Sequence, residues 1–361
     1  MTKEYSSALS GLTVLDFTSM MAGPLCGRYL ADLGARVIKI EPPDGDYMRS
    51  RPPLRDGRSA YFAQLNAGKE SLRIDLKAPE GVARVLDLAS DADIVLESFR
   101  PGTMDRLGLG YENIKARNPS MIYCSISGFG QNGPFAQRPA YAQAIHALSG
   151  FDMAHMSYQR DQSSPSNSVL FVADTLGASF ALSSILTALR QRDADRMGHH
   201  IDLSLLDTMY NLMVYEVQEA QFPQLNQRPS YAPMKTADGF VLVAPTTPKN
   251  FLSLCRVISR PDLPHDPRFE TVDARYAHWD ELMEIVQAWA EQRTTQACED
   301  ALIEAGVPCG RYNTVKEALD DRSLGARSRF GVTADDSGTV AVPRLPFLID
   351  GCPVRIGQKV P

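Results

Sequence analysis

Leu12-Thr-Val-Leu-Asp-Phe17, then Ala22-Gly-Pro24, then Arg36-Val-Ile-Lys-Ile40: these stretches decide the fold. The first is an apolar run of strand length. Pro24 suits the first turn of a helix, where its missing N–H is no loss, and that helix runs to about Leu33. Gly34 ends it, and the third stretch is a second strand. The same alternation continues outward. Ser71–Leu76 reads as a strand, Pro79–Ala89 as a helix, and Asp93–Glu97 and Met121–Ser127 as further strands. Strands separated by helices imply a parallel α/β sheet with right-handed crossovers. Asp174–Arg190 is the cleanest helix, with Ala178, Leu182, Ile185 and Leu189 at helical spacing. It follows an apolar, strand-like run, Val169–Ala173. Ile201–Leu203 is strand-like, and Leu205 to about Gln221 is helical.

The texture changes near residue 223. Pro223, Pro229, Pro233, Pro245 and Pro248 exclude long helices there. Tyr231–Lys235 and Phe240–Ala244 flank Thr236-Ala-Asp-Gly239 as a hairpin. Helical patterns follow at Lys249–Ile258, Asp280–Gln292 and Thr295–Ala305. From Val332 the chain is strand-like again and can return to the first sheet. The 361 residues therefore divide into a large domain, 1–222 with 325–361, and a smaller α/β domain, 223–324.

Lys+Arg 37 against Asp+Glu 43 leaves a formal charge of −6. Bulk charge therefore gives no reason to expect a nucleic-acid or membrane-surface partner. No apolar run reaches the ~18 residues of a membrane span, and Met1–Ser10 has no signal-peptide core. Six scattered cysteines without a C-x-x-C pair point to reduced, buried thiols in the cytoplasm. The six histidines lack metal-ligand spacing, so no metal is expected.

Four features could carry chemistry. Gly128-Phe-Gly130-Gln-Asn-Gly133 spells a dinucleotide fingerprint, but Pro134 and Pro139 deny it the helix that must follow. It reads better as a ligand-facing loop at a strand's carboxyl end. Asp174 opens the best helix, either as its N-cap or as a carboxylate held for covalent catalysis. Arg49, Arg51, Arg55 and Arg58 make a local basic cluster, either a solvated loop or a polyphosphate-facing surface. His199-His200 is a strand pair pointing opposite ways.

Taken in order, several motifs resemble a known family. They are Leu15-Asp-Phe-Thr18 with Ala22-Gly-Pro24, Val37-Ile-Lys-Ile-Glu41 with Gly45-Asp46, and Asn66-Ala-Gly-Lys69 with Asp75-Leu76. Then come Glu97-Ser-Phe-Arg-Pro-Gly102, Asp105-Arg-Leu-Gly108, Ser127-Gly-Phe-Gly-Gln131, Ala173-Asp174 and Asp202-Leu-Ser-Leu-Leu-Asp207. They are similar to the class III coenzyme A transferases, the CaiB/BaiF family, which includes formyl-CoA transferase and α-methylacyl-CoA racemase. The resemblance implies a Rossmann-like large domain, a small inserted domain, and an interlocked homodimer. It implies CoA transfer from an acyl-CoA to a carboxylic acid through a mixed anhydride and an aspartyl-CoA thioester on Asp174. CoA is then a substrate, with no tightly bound cofactor.

The same resemblance carries CoA contacts onto Met21, Ala22, Asn66, Lys69 (as phosphate partner), Ser98, Phe99 and Arg106 (also toward phosphate). Ala140 and Tyr141 fall beside the thioester. Pro42 stands where formyl-CoA transferase has a basic residue, and the arginine cluster is a possible substitute. Ser98 replaces an asparagine. The glycine-rich closing loop of formyl-CoA transferase is not seen before residue 231, where Asn226-Gln-Arg-Pro-Ser230 stands. A racemase would pair Asp174 with a histidine; that position is Tyr141, a poor base at neutral pH. Racemase or isomerase activity, and non-catalytic CoA binding, are the alternatives.

Overall fold

The structure is a computed structural model that describes residues 4–5, 8–159, 162–223, 230–321 and 328–361. Six strands form one parallel sheet: β1 Thr13–Asp16, β2 Arg36–Glu41, β3 Glu70–Arg73, β4 Ile94–Glu97, β5 Ile122–Ser127 and β6 His199–Ser204. Their spatial order is β3-β2-β1-β4-β5-β6. The order reverses between β1 and β4. In open α/β sheets this reversal splays the loops apart and leaves a ligand crevice at the carboxyl ends. β4 and β5 are buried on both faces, as a sheet covered by helices requires.

The helices that position the site are α1 Ala22–Asp32, α2 Ala60–Asn66, α3 Pro79–Asp91, α4 Ala142–Ser149, α5 Phe151–Ser157, α6 Val172–Asp195 and α7 Leu205–Leu212. α6 lays Ala173, Gly177, Ala178, Ala181, Leu182, Ile185 and Leu189 against α1 and the sheet. Among the described residues it is the one helix long and apolar enough to cross a membrane by length and composition, although polar residues such as Asp174, Thr175, Ser183 and Ser184 interrupt its apolar run.

The chain condenses into two compact units, Met1–Met156 with Ser163–Val217 and Ser323–Pro361, and Ser157–Gln162 with Gln218–Arg322. The second holds the strands β7 Met234–Lys235, β8 Phe240–Val243 and β9 Cys309–Arg311, all antiparallel. The β7–β8 hairpin closes where Thr236 N–H meets the Gly239 carbonyl at 2.9 Å, as the sequence predicts. Its longest helices are α8 Pro248–Val257, α9 Trp279–Ala290 and α10 Thr295–Glu304, packed over Phe251, Leu254, Val286 and Trp289.

Three expectations are corrected. Leu205–Gln221 is two helices, broken at Met213. Val169–Ala173 is no strand: Val169, Leu170 and Phe171 are exposed, and α6 has begun by Val172. The C-terminal strands, β10 Phe330–Asp335 and β11 Gly338–Pro343, pair with each other, Ala334 adds a single bridge to Lys359, and neither strand rejoins the parallel sheet. Alternation marks a strand, but it does not say which strand completes the ladder.

Candidate active site

Asp174 stands at the third position of α6. Phe171 holds the N-cap position and has no side chain to offer, so Asp174 is not the cap. The Asp174 carboxylate accepts no hydrogen bond from any described residue. Burial alone pushes its pKa up to about 6. Phe171 stacks on Tyr61 of α2, with ring centroids 6.4 Å apart. Burial, then the charges of Asp174 and Tyr47, push the Tyr61 hydroxyl up to about 12. Tyr61 is therefore a protonated donor beside an unpartnered carboxylate. Nothing in the sequence singled it out, because the two residues lie on separate helices.

The start of α6 is satisfied from elsewhere. The Ala173 N–H donates to His146 Nε2 on α4 at 3.1 Å. Thr175 donates to the Phe171 carbonyl twice, through N–H at 3.0 Å and Oγ1 at 2.9 Å.

The loops after β1 and β4 meet at the crevice. Ser19 N–H donates to Ser98 Oγ at 3.4 Å, and Phe99 N–H to Glu97 Oε2 at 2.8 Å. Met21 occupies the N-cap position of α1, half-buried, and Ala22 beneath it is buried. Phe99 is half-buried. Arg106 is exposed and spends one donor on Thr103 Oγ1 at 2.9 Å, so its charge faces water. Tyr141 precedes α4 and is 68% exposed, with Ala140 half-buried behind it. A Cβ on Gly128 would meet that of Ala140 at 2.6 Å, so a glycine is required there. The glycine loop opens no helix. Gln131 N–H is spent on Asp202, at 2.9 and 3.0 Å from its two oxygens, which pins the loop to β6.

Lys69 requires correction. It is buried, and its ammonium donates to Asp16 Oδ2 (2.7 Å), the Pro24 carbonyl (2.8 Å) and Asn66 Oδ1 (2.9 Å). Three protons meet three acceptors, so none is left for a phosphate. Asn66 is likewise buried, its amide turned to the Phe62 carbonyl at 3.1 Å. Both brace the loop from beneath. Asp16 also accepts from Thr18 N–H (2.9 Å) and Oγ1 (2.5 Å). Burial pushes its pKa up, but Lys69 and Lys39 outweigh burial and the net shift is downward. Lys39 in turn bonds the Thr18 carbonyl (2.7 Å) and Asp46 (2.9 Å). A Cβ on Gly27 would fall 2.6 Å from Asp16 Oδ2, so that glycine lets α1 pass over the pair.

The basic cluster is corrected as well. Arg49 forks onto Glu41 at 2.8 and 2.5 Å, Arg55 pairs with Asp335 and Arg58 with Asp336, both at 2.6 Å. These three staple the C-terminal hairpin and β2 rather than facing a polyphosphate. Of the four, Arg51 alone has no carboxylate partner among the described residues; its guanidinium lies over the Tyr47 ring at 5.3 Å. No metal-binding cluster occurs among the described residues. The 226–229 part of the Asn226–Ser230 stretch lies outside the described residues.

The start of α6 thus carries a half-buried carboxylate with no hydrogen-bond partner among the described residues, and the loop after β4 carries the exposed Arg106. The profile of CoA-transferase family III matches residues 9–361, and the chain belongs to that family. It is 36% identical to the succinyl-CoA–D-citramalate CoA-transferase of Chloroflexus aurantiacus, over 97% of this chain and 91% of that one. It is 34% identical to the succinate–glutarate CoA-transferase of Agrobacterium fabrum, over 98% and 92%. The crystal structure of a CaiB/BaiF family protein from Brucella suis superposes with a TM-score of 0.84 at 31% identity, over 99% and 96%. The protein is therefore an enzyme that transfers CoA.

Proposed function

We propose that the enzyme moves CoA from an acyl-CoA to a carboxylic acid by covalent catalysis on Asp174. The observation that carries this is the unpartnered, half-buried Asp174 carboxylate at the start of α6. An Asp174 oxygen attacks the thioester carbonyl, the oxyanion collapses, and the C–S bond breaks to give a mixed anhydride and CoA thiolate. The thiolate attacks the aspartyl carbonyl. The anhydride C–O bond breaks, leaving aspartyl-CoA and the donor acid as its carboxylate. The acceptor carboxylate then attacks aspartyl-CoA, and the thiolate it expels takes the acceptor's acyl group, restoring Asp174. No net proton moves. A desolvated carboxylate is the stronger nucleophile, and fixing the thioester beside it removes the entropic cost of encounter. Tyr61 supports the scheme as a donor to oxyanions formed beside Asp174.

Two details support transfer over racemisation. Tyr141 stands at the position of the second base, and His146, buried, already spends its lone pair on Ala173.

We infer that the acids are short dicarboxylates, as the names of the two relatives describe, with Arg51 beside Tyr47 as the cation for the far carboxylate. The exposed apolar side chains of Val169, Leu170, Phe171, Phe180 and Tyr210 support the homodimer. Six unpaired cysteines support a reducing compartment, the cytoplasm. The two compact units support the domain bounds 1–222 with 325–361 and 223–324.

The test is a panel of acyl-CoA donors against mono- and dicarboxylic acids, read by mass spectrometry, with hydroxylamine added to trap the acyl-enzyme. A hydroxamate at Asp174 is expected, and transfer that survives Asp174→Ala would sink the scheme.

A further inference from the structure

His146 is buried, and it is the residue whose side chain meets the backbone next to the nucleophile. A helix begins with N–H groups that have no intrahelical partner, and Phe171 cannot cap them. A carboxylate in the first turn is drawn to such groups by hydrogen bonding and by the helix dipole. Asp174 sits in that turn, yet its carboxylate is uncommitted. The N–H of the preceding residue, Ala173, is already taken by His146 Nε2 at 3.1 Å.

We propose that His146 is a positioning residue: its neutral imidazole takes the first-turn N–H that the Asp174 carboxylate would otherwise capture, and so keeps the nucleophile free for the thioester. This rests on the covalent reading of Asp174.

An accepting Nε2 must be unprotonated. Burial lowers the His146 pKa and favours that form. The ring proton then sits on Nδ1, which is buried near the Ser168 backbone and the Asp152 carboxylate of α5 without a hydrogen bond of normal geometry to either. Phe151, 5.3 Å away between centroids, packs on the ring. The titratable group facing Asp174 is Tyr61 on α2, with Tyr47 beyond it. The arrangement explains why a histidine should stand in the core with no role in proton transfer. Its acceptor reaches where serine or aspartate would normally cap, from a different helix, and brings no charge of its own.

The experiment compares His146→Leu, which keeps the bulk and loses the acceptor, with His146→Gln, which keeps an acceptor. In His146→Leu, kcat is expected to fall about 10- to 100-fold, the scale of a misplaced reacting group, while KM for acyl-CoA stays within about twofold. The acid limb of kcat/KM should move to lower pH, because a captured carboxylate ionises more easily. His146→Gln should restore most of the rate and the original limb. Carbon-13 NMR of aspartate-labelled enzyme, with the Asp174 signal identified by its loss in Asp174→Asn, reads the same shift without turnover. A folded His146→Leu enzyme whose Asp174 titrates as in the wild type would overturn the proposal. If wild-type enzyme transferred no CoA, the covalent reading would fail, while the NMR arm would still decide the role of His146.

Discussion

Asp16 and Asp174 are the same residue, in the same compact unit, and both are withdrawn from water. Asp16 has Thr18 twice and Lys69 as partners, and its pKa falls. Asp174 has no partner among the described residues, and its pKa rises to about 6. Burial is common to both; the number of donors around the carboxylate differs. A desolvated charge with a full set of hydrogen bonds becomes a fixed point of the fold. One without them is a stored cost that the reaction can use.

The largest effect expected separates the two by what is lost. Asp174→Ala should reduce transfer by at least about 10³-fold, the scale on which losing a covalent nucleophile falls, with no loss of melting temperature. Lys69→Met should do the reverse. Stranding Asp16 without its cation costs about 3–5 kcal/mol, read as a lower urea midpoint. If the variant kept its midpoint and only KM for CoA rose, Lys69 would be a phosphate ligand after all.

The third prediction turns on sign. The folded-state pKa of Asp174 lies above the ordinary 3.8. Below that value both states are protonated. As pH rises toward about 6, the unfolded state ionises first and the native state loses stability relative to it. Asp174→Asn should therefore be more stable than wild type at pH 8, by up to about 3 kcal/mol, and equal to it below about pH 4. A constant offset between the two melting curves at both pH values would break the comparison. The same shift predicts that kcat/KM falls as pH drops through about 6, because only the ionised carboxylate attacks.

The smallest effect concerns specificity. Arg51→Gln should raise KM for a dicarboxylic acceptor about threefold, on the order of 0.6 kcal/mol for an exposed charge pair, and leave a monocarboxylic acceptor unmoved. Arg58→Gln, which loses only an exposed pair with Asp336, should change neither.

Much of this was legible in the sequence, for identifiable reasons. The β1–α1–β2 start follows from apolar run lengths and Pro24, and helix α6 from its spacing. Asp174 stood out because it opens that helix, and its part in CoA transfer came from the family resemblance. What escaped depends on contacts across the fold. Lys69 is a cation in a motif until Asp16 and the Pro24 carbonyl, each more than 40 residues away, consume its protons. His146 reaches Ala173 across 27 residues of chain, and no local pattern records that. Arg55 and Arg58 look like a basic patch only while Asp335 and Asp336 are far away. The exposed Val169–Phe171 run mimics a strand because apolar residues read alike whether they face a core or an open surface.

The staples to the C-terminal segment bear on how the protein is made. Gly68 N–H donates to the Lys359 carbonyl at 2.7 Å, Arg49 to that of Pro361 at 2.7 Å, and Arg28 to that of Pro343. Gly68 and Gly357 approach so closely that neither could carry a side chain. These contacts can form only after residues 343–361 are synthesised, which is later than all of Gln218–Arg322. At roughly 5–20 residues per second, the large unit waits on the order of ten seconds with α2 and the loop under α1 unlatched. The second unit, although later in the chain, is the one positioned to finish folding first.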